Sequence, residues 1–472
     1  MSKRKKPLFK EIEIIDLGAK GKAVGKAPDG KIIFAPYLAP GDIADIQVHK
    51  KRKAYYEGKA VDIHRFSPLR TQPACKYFGI CGGCKLQHIK YEEQIKFKQK
   101  EVENNLIRLG KISLPREISP IMPSPEIYNY RNKMEFSFSA KRWLTPGEIQ
   151  SGESVTQREG LGFHIAGMWD KVLDIDECHL QEEPSNKIRN AVRKFALENN
   201  IPFFDPREKK GLLRTLMIRN TSIGEWMVVM QFFHNDKENI EKLMSFLKKE
   251  FPEITSLQYI INPKDNDSFY DQKVVLYAGR DYIQEKWDDL TFRISAKSFF
   301  QTNSKQAYRL YQKVKEFAAI KPHETVYDLY TGTGSIAQFI AGDAKKVIGV
   351  ESVPQAIEDA KKNADLNQID NVEFITGDMK EVFTPDFIDK YGKADVVITD
   401  PPRDGMHKKV VENLLNLAPQ RIVYVSCNSA TQARDLGLMK EKYEIVKMQP
   451  VDMFPHTHHV ENIVLLHKKT KE

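Results

Sequence analysis

The stretch YDLYTGTGSIAQFIA, Tyr327 to Ala341, decides the fold. The β-forming run TVYDLY gives way to two closely spaced glycines and then to a helical segment. Gly332 and Gly334 let a backbone approach a bound ligand closely. Ala337 stands where a dinucleotide fingerprint tolerates alanine, so the loop alone leaves the nucleotide cofactor open. Further apolar runs follow, KVIGVES, VEFITGD, ADVVITDPP, RIVYVSCN and NIVLLHK, each separated by a helical segment. Strand alternating with helix in this way predicts an α/β fold with a doubly wound, mostly parallel sheet.

Ligands of such sheets bind outside the carboxyl ends of the strands, so the residues at those ends matter most. Glu351 ends the second run, where a carboxylate can accept both hydroxyls of a ribose. Asp378 closes the third, where an adenine edge would lie. Successive carboxylates after Gly-x-Gly point to an adenosine cofactor. The fourth run ends TDPPRDG: Asp400 projects into the crevice, two prolines stiffen the chain, and Arg403 adds a planar donor for a base or phosphate. The fifth delivers Cys427 in YVSCNSATQARDL, at the mouth of the strand. An inert thiol would more naturally sit inside the apolar run. DMFPHTHHVENIVLL then brings Glu461 immediately before the closing strand. A thiol, a carboxylate and a cofactor loop converge on one rim.

Composition narrows the setting. The chain has 472 residues, 73 Lys+Arg against 64 Asp+Glu and a net charge of +9. Residues 1–66 hold 15 Lys/Arg and 8 Asp/Glu, so +7 of that excess lies in the first seventh. A polyanion partner, most plausibly nucleic acid, follows. No apolar run approaches a membrane span, and Met-Ser-Lys-Arg-Lys-Lys lacks the apolar segment of a secretory signal. The expectation is a monomeric cytoplasmic protein with no membrane partner.

Of five cysteines, Cys75, Cys81 and Cys84 fall within ten residues, in ACKYFGICGGCKLQH. An odd count argues against a disulfide framework. Clustered thiols with intervening glycines suit a metal, and Cys178 in DIDECHLQ is the candidate fourth ligand because Cys427 already has a place that suggests chemistry. Spacing leaves Zn and an iron–sulfur cluster both open.

Three pieces are expected. Residues 1–67 read as a small β-barrel from the runs EIEIIDLG, KIIFAPYLAPGDIADIQV and YYEGKAVDIHRF, with Lys50–Lys53 beside Tyr55 and Tyr56 as charge plus stacking surface. Residues 68–90 and 122–296 form an α+β central domain with the cysteines. Residues 91–121, on the family resemblance given below, and residues 297–472 form the doubly wound domain. In the first of these last segments, Ile95, Lys98/Gln99, Val102, Leu106 and Leu109 recur at helical spacing and Gly110 ends the helix.

DPPRDG, YVSCN with Thr431 beyond it, DMFPHTHHVE and SFFQTN (Ser298 to Asn303) resemble the signature stretches of the RNA 5-methyluridine methyltransferases. The resemblance covers essentially the whole chain. It implies a class I S-adenosylmethionine-dependent methyltransferase fold, a TRAM (OB-like) RNA-binding barrel, and a helix 91–110 that leaves the central domain for the catalytic one. The cysteine pattern is similar to the [4Fe–4S] site of the ribosomal-RNA members, which the tRNA members usually lack. It implies Cys75, Cys81, Cys84 and Cys178 as cluster ligands and 23S rRNA as the RNA, with tRNA the alternative. It implies Cys427 as the thiol that adds to carbon 6 of uracil and Glu461 as the base that removes the carbon-5 proton. Gln301, Tyr330, Gly332, Gly334, Glu351, Asp378 and Asp400 map to cofactor contacts, with Gln301 and Asp400 also facing the base. Phe299 and Arg403 map to the substrate. Family members often carry Asn where Ser335 and Asp378 stand. His456, His458 and His459 are expected to shape the turn that aims Glu461.

Two other classes fit the sequence less well. A radical methylthio-transferring enzyme would need Cys-x3-Cys-x2-Cys and a repeated βα barrel, and the chain has neither. A non-catalytic RNA-folding factor on the same scaffold would not need Cys427, Glu461 and the cofactor loop together.

Overall fold

The computed structural model describes residues 6–115, 118–152 and 154–470. The first five residues of the basic opening therefore lie outside the described residues.

The amino-terminal unit is a closed five-stranded barrel of Leu8–Gly18, Lys22–Lys26, Ile32–Ala35, Ile43–Lys51 and Tyr55–Arg65. Alternate residues point inward, which puts Ile12, Ile14, Ile33, Ile46, Val48 and Tyr56 in a small core of its own. Three β-rich runs were legible in the sequence. The structure adds Lys22–Lys26 and splits the second run in two at the turn around Asp42. Asp42 is fully buried, accepts hydrogen bonds from the Ala39 and Ser67 amides, and pairs with Arg70 at 2.6 Å. That pairing pins the barrel to the segment leading into the cysteine loop.

The central sheet has seven strands in the order Val274–Gly279, Ile254–Ile261, Trp226–Phe232, Leu213–Asn220, Lys133–Ser139, Gly160–His164 and Val172–Asp174. Its middle strands are buried on both faces, and the period of two sends their side chains into different cores. Leu216, Ile218, Val228 and Met230 pack with Val192, Leu243 and Leu247 of helices Ser185–Glu198 and Lys237–Glu250. Met217, Met227 and Val229 join Phe300, Leu310, Val423 and Ile463 of the catalytic unit. One sheet thus forms the floor of its own domain and a wall of the next.

The catalytic sheet runs Val372–Thr376, Lys346–Glu351, Thr325–Leu329, Val396–Thr399, Arg421–Ser426, Glu461–Lys468 and Tyr443–Val451. The first five are mutually parallel and the last two pair antiparallel. Strand Tyr443–Val451 was not anticipated: it is an edge strand whose Glu444 and Lys447 face solvent and which contains Pro450, so its apolar signal is diluted. Asp378 lies two residues past its strand and caps helix Met379–Val382, whereas Glu461 is the first residue of the closing strand rather than the residue before it.

Helix Tyr91–Arg108 packs on the catalytic unit, with Val102 and Leu106 in the cluster that includes Ala433, Leu436 and Val464. Its buried face is Gln94, Lys98, Val102 and Leu106, while Leu109, expected inside, is 57% exposed. The face turns because Gln94 and Lys98 find buried polar partners in the loop 452–456.

Candidate active site

One cavity of about 1460 Å³ runs along the carboxyl ends of the catalytic strands and out to the cysteine loop. Cys427, Glu461, Asp400, Arg403, Phe299, Gln301, Tyr330, Gly332, Glu351 and Asp378 all line it, as do Cys75, Cys81, Cys84 and Cys178. Residues from four distant parts of the chain meet there.

One end of the cavity is built on the Gly loop. Gly332 has φ +56° and nothing within 4 Å of where a Cβ would stand, so its bare face opens on the cavity. Its N–H donates to Glu351 Oε2 at 3.2 Å, while Oε1 accepts from the Ser352 and Val353 amides. Gly334 does not line the cavity. A Cβ there would meet the Phe374 ring at 2.6 Å, so this glycine serves the packing of helix Ser335–Ala341 on its neighbouring strand. Asp378 is exposed at the rim, its carboxyl lowered by the Lys380 amide. The SFFQTN segment is held from outside the domain. Asn132 donates to the Gln301 carbonyl at 3.0 Å, and buried Arg219 donates to the Ser298 carbonyl at 2.9 Å. Phe299 is left 66% exposed on the cavity wall, a free aromatic face.

The thiol end is different in character. Cys427 lies between Ser426, the last residue of its strand, and the Asn428 cap of helix Ser429–Met439. Asn428 Nδ2 and Thr431 Oγ1 both donate to the Arg403 carbonyl, at 2.9 and 3.1 Å, so the two loops move as one. Burial, with Glu461 and Asp400 adding to it, pushes the Cys427 thiol up to about 12, and Arg403 pulls the other way. Burial and then Asp400 push Glu461 up to about 8, again opposed by Arg403. Burial and Asp328 raise Asp400 to about 7. Three acidic groups thus share one buried pocket with a single arginine acting on two of them.

The loop that delivers Glu461 is clamped from several sides. Buried Asp452 pairs with Lys98 at 2.6 Å and accepts from Tyr91 at 2.8 Å. Asn303 donates to the Met453 carbonyl at 3.0 Å and Tyr130 to the Pro455 carbonyl at 3.0 Å. His456 adopts φ +64° and stacks on Tyr128 with centroids 4.5 Å apart. Its N–H donates to Gln94 Oε1, and its carbonyl accepts from the Lys85 and Leu86 amides, the two residues after Cys84. Burial lowers His456 and His458 to about 4 and His459 to about 3, which keeps all three neutral at neutral pH. Arg219, Asn132, Tyr128 and Gln94 carried no signal in the sequence, because each acts on a segment far along the chain.

The four clustered cysteines are free thiols, half-buried beside the central sheet. The Gly82 amide donates to the His164 carbonyl at 3.1 Å and Cys178 N–H to Asn186 at 2.8 Å, which docks both cysteine segments on that domain. Burial raises all four thiols, Cys84 to about 12 and Cys178 to about 11. Among the described residues no group of three or more His, Cys, Asp or Glu is arranged to hold a metal ion.

Residues 247–469 match the family described as tRNA (Uracil-5-)-methyltransferase, and residues 9–61 match the TRAM domain. An RNA methyltransferase of Porphyromonas gingivalis is 53% identical over 98% of this chain and 100% of its own length. Another from Chlorobaculum tepidum is 39% identical over 96% and 95%. The chain belongs to the RNA uracil-5-methyltransferase family. The solved structure of Pyrococcus abyssi tRNA (uracil-54, C5)-methyltransferase, in complex with S-adenosyl-L-homocysteine, aligns with a TM-score of 0.73 at 30% identity. The alignment covers 96% of this chain and 99% of that one. This uracil-5 methyltransferase is accordingly an S-adenosylmethionine-dependent enzyme, with a TRAM barrel at its amino end. Among its described residues no helix is long and apolar enough to cross a membrane.

Proposed function

We propose that the enzyme methylates carbon 5 of a uridine in large-subunit ribosomal RNA through a covalent adduct on Cys427. The observation that carries the reading is the meeting of Cys427, Glu461 and the Gly332 loop on one cavity. Carbon 5 of uracil is too poor a nucleophile to take a methyl group unaided. The Cys427 thiolate adds to carbon 6, forming an S–C bond and shifting the ring π electrons into an enolate whose nucleophilic end is carbon 5. S-adenosylmethionine, when bound, supplies the methyl group that carbon 5 accepts. Glu461 then takes the carbon-5 proton, the electrons reform the double bond, and the Cys427 sulfur leaves. The uridine has to leave its stack to reach this depth, and the exposed Phe299 ring offers it a replacement stacking face.

Gly332 and Glu351 fit an adenosyl cofactor: the bare glycine face admits the ligand, and Glu351 is already aligned on the loop by its N–H. Tyr330, Asp378, Asp400 and Gln301 complete the cofactor side of this reading, and Arg403 faces the RNA.

Cys75, Cys81, Cys84 and Cys178 are proposed to hold a [4Fe–4S] cluster. Four free thiols facing one cavity support this, as does the Gly83 amide donating to Cys81 sulfur at 3.4 Å, since N–H donors to sulfur are the usual surroundings of such clusters. Anaerobically purified protein should carry about four iron and matching sulfide per chain. Stoichiometric zinc without sulfide would sink the cluster reading.

The ribosomal target rests on the likeness of the cysteine pattern to ribosomal-RNA members. A tRNA uridine is the second reading, favoured by the whole-length likeness to the Pyrococcus abyssi enzyme. Mass mapping of nucleosides in ribosomal and transfer RNA from a deletion strain decides. A 5-methyluridine lost from large-subunit RNA supports the first reading, one lost from tRNA the second, and no loss from either refutes both.

A further inference from the structure

A second hollow opens outside the catalytic cavity, at the joint between the barrel and the cysteine loop. It measures about 430 Å³, within the range of small-ligand sites. Tyr37 and Phe66 from the barrel side and Phe78 and His88 from the cysteine loop line it, together with Arg70. Phe78 also lines the catalytic cavity, so the two spaces share a wall.

The walls are pre-ordered. Arg70 is fixed by Asp42 and by the Tyr37 carbonyl, and its guanidinium lies 5.4 Å from the Phe66 ring centroid. Tyr37 meets Phe78 edge-on at 5.3 Å, and Phe78 lies 5.3 Å from His88. Phe66 is nevertheless 65% exposed, a large apolar face held open to solvent. His88 is only 3% exposed. Its Nε2 lies 3.2 Å from the Leu38 carbonyl and its buried Nδ1 has no hydrogen-bond partner. Burial lowers this ring to about 4, so it is neutral: Nε2 donates to the carbonyl and Nδ1 is left as an unspent acceptor. An aromatic hollow with a fixed guanidinium in its wall, beside a module carrying +7 of the net charge, has the chemistry of a nucleobase site.

We propose that this hollow holds an unpaired base of the RNA, near the target uridine in the strand, stacked on Phe66 and Phe78 beside the Arg70 guanidinium. The proposal rests on the RNA reading above for its ligand class but not on the Cys427 chemistry. It makes Phe66 and Phe78 specificity-determining contacts: RNA lacking a free base at that offset would bind less well.

The test uses the full chain, since the barrel alone has not been shown to fold. Phe66→Ala removes an exposed ring and should leave cofactor affinity and folding unchanged. RNA affinity should fall on the order of ten- to a hundredfold, the usual cost of losing one stacking partner. KM for RNA should rise with kcat kept at saturation, and Phe66→Trp should restore binding. Ultraviolet cross-linking to total RNA from a deletion strain should place a nucleotide on the peptides bearing Phe66 or Phe78. Affinity within twofold of wild type, a fall in kcat without a rise in KM, or cross-links absent from both peptides would overturn the proposal. Failure of the uridine-methylation reading would appear separately, as no 5-methyluridine formed by the wild-type protein.

Discussion

The two ends of the cavity differ in how they treat charge. At the Gly-loop end Asp378 is exposed and its carboxyl lowered by a backbone amide, and Glu351 already accepts three N–H groups. Both carboxylates are oriented by backbone amides before any ligand arrives, which suits binding. At the thiol end, burial lifts Cys427, Glu461 and Asp400 together, to about 12, 8 and 7. Carboxyls raised toward the working pH are suited to moving protons. On the proposed reading, the exposed end of the cavity suits recognition, and the buried end, where Arg403 biases the charge of Cys427 and Glu461, suits chemistry.

The largest test of that division is removal of the reacting groups. Cys427→Ala should drop turnover below about a thousandth of wild type, the scale on which covalent nucleophiles act, with cofactor affinity unchanged. Glu461→Gln should still add and methylate, then stall, giving a slow-migrating protein–RNA band on a denaturing gel that the Cys427→Ala change removes. Normal turnover by Glu461→Gln would refute the base assignment, and a band surviving loss of Cys427 would refute the nucleophile.

Next in size is the clamp behind Glu461. Lys98→Met leaves the Asp452 carboxylate buried and uncompensated, and should cost about 3–5 kcal/mol of stability in denaturant unfolding. A loss under about 1 kcal/mol would mean that Asp452 is reached by water and the clamp is loose.

At the other end, Glu351→Ala should weaken S-adenosylmethionine binding by about 10- to 100-fold, as expected for lost hydrogen bonds to a charged group. Calorimetry with the cofactor alone reads this directly. Adduct formation by preloaded enzyme should be unaffected, and a change there would blur the division between the two ends.

The smallest effect concerns pH. Glu461 is raised to about 8, so the ionised base gains population as pH rises through that value, and Cys427 ionises further above it. Both act in the same direction, and kcat/KM should climb from pH 6 to pH 9 without a falling limb. Arg403→Leu removes the cation that favours both charged forms. The climb should move to higher pH and activity at pH 7 should fall severalfold. An unchanged profile would remove Arg403 from the electrostatics of the site.

Much of the site was legible because short motifs at strand ends carry their own geometry. Cys427 and Asp400 fall where parallel strands stop, and the sheet order brings those ends together whatever else the chain does. The Gly-x-Gly loop was legible as a loop, but its two glycines could not be told apart. Only the packing of Phe374 shows that Gly334 serves the helix–strand contact while Gly332 opens on the ligand space.

By itself the sequence determined the α/β alternation, the amino-terminal barrel, the family and the placement of thiol, carboxylate and Gly loop on one rim. These follow from local periodicity and from motifs a dozen residues long. Tertiary structure alone decided the rest. It gave the shifted protonation of Glu461, which depends on desolvation by parts of the chain remote in sequence. It joined His456 to the residues after Cys84, and the SFFQTN segment to Arg219 and Asn132 of the central sheet. The physical reason is the range of the forces: periodicity is set by neighbours along the backbone, whereas burial and charge are set by whatever the completed fold brings near.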